Sequence, residues 1–126
     1  MIKVDHLGMP ARAKLDAVRF LADIFDVSCG TPAGPFAPVR VNPGFTIDFF
    51  DSAQVESMHV AFVADDATFD GILQRLRSAG VAYGSQPNDP TNGRIDHPLA
   101  ERGLYFRTPD GHLLEIMAAP SGAESA

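Results

Sequence analysis

The sequence predicts an α+β chain built from two tandem copies of one unit, each a strand, a helix and then two or three further strands. Both strand-period and helix-period apolar patterns occur within 126 residues. The segment Val39–Phe50 also lies over Phe106–Met117 without a gap, matching Arg40 to Arg107, Gly44 to Gly111 and Asp48 to Glu115. An upstream pair repeats as well, His59 with His6 and Ala61 with Gly8. Repetition on this scale is architectural, since each unit leaves a sheet face that another must cover.

In order, Ile2 to Met9 reads as a strand on which His6 shares a face with Val4 and Gly8, and Pro10 ends it. From Lys14, the residues Leu15, Val18, Leu21, Ala22 and Phe25 recur at helical spacing, with Asp16, Arg19 and Asp23 on the outer face. Glycine and proline break Ser28–Pro38 into loop with room for a short strand, and Val39–Val41 turns through Asn42-Pro43-Gly44 into Phe45–Asp51. Met58–Val63 restarts the pattern. Asp65 or Asp66 caps a helix with Phe69, Ile72, Leu73 and Leu76 on its buried stripe, and Gly80 stops it. Val81–Gln86 reads as a strand, Pro87–Arg102 as a long polar loop, and strands flank the Pro109-Asp110-Gly111 turn.

These limits give a single domain over 1–118, with units at about 1–52 and 57–118, and a flexible tail over 119–126. The composition, 45% hydrophobic and 21% charged, is that of an ordinary globular protein, and no apolar run reaches a membrane span. A net charge of −6 disfavours a nucleic-acid partner. The start carries no secretory pattern, and the lone Cys29 fits a reducing compartment, so the expected location is cytoplasmic.

Glu115 is the anomaly: a carboxylate between Leu114 and Ile116 falls where burial is expected and needs a partner, for which a metal or an arginine is the obvious candidate. With His6, Asp48 and His59 it completes four polar residues at equivalent places in the two copies. A metal site explains them better than packing does, although a histidine–carboxylate hydrogen bond would satisfy the same groups.

The repeat, with Asp5-His6-Leu7, Met58-His59-Val60 and Pro109-Asp110-Gly111-His112-Leu113-Leu114-Glu115, resembles the vicinal oxygen chelate superfamily, which includes glyoxalase I, fosfomycin-resistance thiol transferases, bleomycin-binding proteins and extradiol dioxygenases. The resemblance implies a glyoxalase-like fold, two βαβββ units forming a curled mixed sheet around a metal or ligand groove. It implies His6, His59 and Glu115 as ligands of a divalent Zn, Ni, Mn or Fe ion, with Asp48 as a fourth. It further implies a homodimer, with the site formed within one chain or across two.

The function implied first is a glyoxalase-like isomerase or lyase that chelates vicinal oxygens of a small substrate and stabilises an oxyanion or enediolate, with Glu115 or Asp48 as base. An extradiol-type dioxygenase, with Tyr105 or His97 as acid, and a metal-free drug-sequestering protein are the alternatives. Tyr105 corresponds to a tyrosine near the substrate in fosfomycin-resistance transferases. However, Ala100-Glu101-Arg102-Gly103 stands where those enzymes carry a serine-bearing loop, which argues against fosfomycin. Arg107 is a candidate anion anchor and Phe50, Leu113 and Met117 a candidate pocket wall, while Arg40 reads more simply as a solvated charge. His97 reads as a solvent-exposed loop histidine and His112 lies on the face opposite Glu115, so neither is expected in the site.

Overall fold

The computed structural model describes residues 1–119. It holds a three-stranded and a four-stranded mixed sheet, each with one helix, and the chain divides into two compact units. Unit 1 comprises Met1–Glu56 with Pro109–Gly111, and unit 2 comprises Ser57–Thr108 with the described residues 112–119.

In unit 1, β1 (His6–Ala11), α1 (Lys14–Phe25), β2 (Phe36–Asn42) and β3 (Phe45–Asp51) give the sheet order β1-β3-β2, with β1 parallel and β2 antiparallel to β3. β1 begins later than the sequence predicts, because Ile2 and Val4 are exposed and the ladder starts at His6 opposite Thr46. It also runs through Pro10. Asp5 and Ala11 accept from the N–H groups of Thr46 and Ser52, so the alternation turns the Pro10 nitrogen away from β3, where a missing donor does no harm. β2 likewise starts before the expected Val39, and its outer neighbour is reduced to an isolated bridge from Cys29 to Val39.

The buried stripe of α1 is Ala17, Val18, Leu21, Ile24 and Phe25, packed over Met9, Val39, Ile47 and Phe49. Leu15, expected in that stripe, is exposed. The helix ends at Asp26, whose left-handed φ of 54° is unusual without glycine.

In unit 2, β4 (His59–Asp65), α2 (Asp66–Ser78), β5 (Tyr83–Gly84), β6 (Gly103–Arg107) and β7 (Leu113–Ala119) form the full βαβββ pattern in the order β4-β7-β6-β5. β7 includes Ala119, the first residue of the expected tail, and 120–126 lie outside the described residues. The Asp65 carboxylate accepts from Thr68 N–H at 2.7 Å and caps α2, which buries Phe69, Ile72, Leu73 and Leu76 as expected.

The strand expected over Val81–Gln86 shortens to Tyr83–Gly84 because the chain folds straight back over it. A Cβ on Gly84 would stand 2.4 Å from the Asp89 carbonyl oxygen, and Gly93 N–H donates to Tyr83 O. Residues 85–102 thus return to the sheet, where Gly103 N–H donates to Ile95 O. No helix among the described residues is long and apolar enough to cross a membrane.

Candidate functional site

Strand register places the repeated polar residues equivalently in the two sheets. On β1 and β3, Gly8 faces Asp48 and His6 lies two residues before Gly8; on β4 and β7, Ala61 faces Glu115 and His59 lies two residues before Ala61. Because side chains alternate, each histidine and its acid share one sheet face while the neighbouring apolar residues turn to the helix. Each unit therefore carries one histidine–carboxylate pair on its helix-free face.

The pairs differ in environment. In unit 1, the exposed His6 places Nδ1 2.9 Å from Asp5 Oδ2, and Asp48 is half-buried. The hydrogen bond with Asp5 is the chief reason the His6 pKa is raised above 6.5, with the charges of Asp5 and Asp48 adding to it.

In unit 2, Glu115 is buried, and its carboxylate is met by two imidazoles. Oε1 lies 2.8 Å from Nε2 of the half-exposed His59, and Oε2 lies 2.6 Å from Nε2 of His97. Neither a metal nor an arginine is needed to explain the burial; histidine donors supply the compensation that the sequence leaves open. Tyr105, opposite Glu115 on β6, also hydrogen-bonds it. Burial first, then the Glu115 charge and this hydrogen bond, raise the Tyr105 phenol above its ordinary 10.0, so it holds its proton at neutral pH.

Contrary to the expectation of a solvent-exposed loop histidine, the His97 side chain has no accessible surface. Its ring stacks on Tyr105 with centroids 5.3 Å apart and planes at 13°. On Gly103, a Cβ would come within 2.6 Å of His97 ring carbons, so only glycine lets the ring lie against β6 there. Leu99 N–H donates to Nδ1 at 3.0 Å, which leaves the proton on Nε2 and makes that nitrogen the donor to Glu115. Close approaches at Gly84 and Gly103 bring this loop and its histidine against the sheet, and neither glycine by itself points to His97 in the sequence.

The remaining candidates are more scattered. His112 is buried and accepts from Met58 N–H through Nδ1 at 3.0 Å, anchoring the start of β4. Arg107 is exposed, with Nη1 3.5 Å from Ser57 Oγ, and Arg40 is exposed beside the Pro43 carbonyl. Leu113 is buried and Met117 half-buried on the Glu115 face, while Phe50 meets Phe36 edge-on at 6.2 Å in unit 1. Among the described residues, no three or more His, Cys, Asp or Glu are gathered so as to hold a metal ion. Glu115 directs its two oxygens to different histidines.

Solved structures are similar over nearly the whole chain, two oxidases among them. Oxidase ChaP-H2 is 35% identical, with 97% of each chain covered and a TM-score of 0.88. Oxidase ChaP-H1 is 34% identical, covering 98% of this chain and all of that one, with a TM-score of 0.87. The fosfomycin resistance protein FosX from Listeria monocytogenes shares the fold, with a TM-score of 0.71 at 19% identity and 96% of each chain covered. No curated protein matches the chain. The model of the Glyoxalase/Bleomycin resistance protein/Dioxygenase superfamily matches residues 4–116, and the chain belongs to that superfamily.

Proposed function

We propose that the chain is a metal-dependent enzyme of the vicinal oxygen chelate type that oxidises a small substrate presenting two neighbouring oxygens, with molecular oxygen as the oxidant. The observation that carries the proposal is the pairing of Glu115 Oε1 with His59 Nε2 at 2.8 Å, beside a Glu115 Oε2 already occupied by His97. A carboxylate oxygen and an imidazole nitrogen side by side, with the histidine half-exposed, are a chemical fit for a divalent cation. In unit 1, His6 and Asp48 are the corresponding candidate ligands, and the Asp5 contact at His6 Nδ1 leaves Nε2 as its donor atom. When bound, a divalent ion supplies Lewis-acid stabilisation of adjacent substrate oxygens.

The chain's own residues have separate roles in this reading. Glu115 and His59 hold the ion, and Tyr105, kept protonated by burial and by Glu115, is the proton-bearing group beside the carboxylate. Arg107 is the candidate anchor for an anionic substrate group, and Phe50, Leu113 and Met117 are candidate apolar contacts.

Oxidation is favoured over isomerisation because the relatives at 35% and 34% identity are both oxidases. The glyoxalase-like isomerase or lyase is the second reading, favoured by the register equivalence of Asp48 and Glu115, which offers a fourth ligand or a base. Metal analysis followed by oxygen-uptake assays on catechol-type substrates tests the proposal. Uptake that requires iron supports it, whereas a nickel- or zinc-loaded chain that consumes no oxygen supports the isomerase or lyase. A homodimer, as the resemblance implies, is part of the proposal.

A further inference from the structure

We infer that His97 is a positioning residue that fixes Glu115 for cation binding, an inference that rests on the metal-centre reading above. Four contacts converge on the buried ring. Leu99 N–H occupies Nδ1, Nε2–H reaches Glu115 Oε2 at 2.6 Å, Tyr105 stacks on the face, and Gly103 leaves the space in which the ring lies. Each removes a degree of freedom. The backbone donor sets the tautomer, the stack sets the ring plane, and the glycine sets the depth.

The consequence falls on the carboxylate. With Oε2 held by a donor that neither rotates nor exchanges with water, Glu115 keeps Oε1 toward His59. Tyr105 also hydrogen-bonds the carboxylate, but without His97 the glutamate would be less confined and would have more rotamer freedom to lose on binding a cation. His97 therefore raises cation affinity without touching the ion. The loop of residues 85–102 becomes part of the site through this one side chain, although it reads in the sequence as a solvated connection.

The test compares two variants of the full chain. His97→Phe keeps a ring for Tyr105 but removes the donor, and His97→Gln keeps an amide donor without the ring. Manganese(II) alone is titrated calorimetrically, with thermal unfolding recorded for each protein. A tether predicts that His97→Phe weakens manganese binding about 10- to 100-fold, as loss of a hydrogen-bond partner to a ligand does, and that His97→Gln recovers part of it. A packing role predicts the reverse order and would overturn the inference.

Crystal structures of the two metal-free variants give a readout independent of the ion. Glu115 should leave His59 in His97→Phe and stay beside it in His97→Gln; an unmoved Glu115 in His97→Phe would overturn the inference. If the unaltered chain takes up no divalent ion, the metal-centre reading fails by itself, and the position of Glu115 in the two crystals still decides the role of His97.

Discussion

Glu115 Oε2 and His97 Nε2 stand 2.6 Å apart across 18 positions of sequence, joining the last strand to a loop that otherwise looks like a solvated connection. This bond satisfies a buried carboxylate with a neutral donor and leaves its other oxygen to a half-exposed histidine. Removing the acid reverses the benefit. Glu115→Ala leaves the His97 Nε2–H buried without its acceptor, and equilibrium urea unfolding should show a loss of about 1–3 kcal/mol. Unchanged stability would mean that the bond contributes little to the fold.

Gly103→Ala tests the same contact from the opposite side. The added methyl would stand 2.6 Å from the His97 ring, closer than atoms tolerate, so the ring or the strand must shift. Thermal unfolding should register a cost of about 1–3 kcal/mol, typical of overpacking. A wild-type melting temperature would show that the loop yields freely.

Tyr105 predicts an alkaline signature. Its folded pKa is raised above 10.0, so its contribution to stability is complete below 10.0 and is lost as pH rises through the higher folded value. Phenolate absorbance should show a titration above 10.0 that is absent from Tyr105→Phe. Persistence of that titration in the variant would show that it does not belong to Tyr105.

The homodimer is tested by light scattering on the purified chain at micromolar concentration. Twice the 13.5 kDa chain mass is the expected result. The mass of a single chain would contradict it.

Much of this arrangement was legible in the sequence because strands obey a period of two and the repeat fixed their alignment. The pairing of Gly8 with Asp48 and of Ala61 with Glu115 follows the equivalence of the copies, and the stripe of α2 matches residue for residue. The stripe of α1 follows helical spacing except at its start, where Leu15 is exposed and Ala17 packs instead. His97 escaped because periodicity says nothing about where a loop returns. That return is set by close approaches at Gly84 and Gly103, which only a tertiary contact reveals.

The most direct measurement is the metal content of protein purified without chelator or nickel resin, by elemental mass spectrometry, beside His59→Ala. Near-stoichiometric iron is expected in the unaltered chain, and its loss in the variant. Full retention of the ion in His59→Ala, or no uptake by the unaltered chain even after reconstitution, would contradict it and leave a ligand-binding protein whose histidines and carboxylates only satisfy one another.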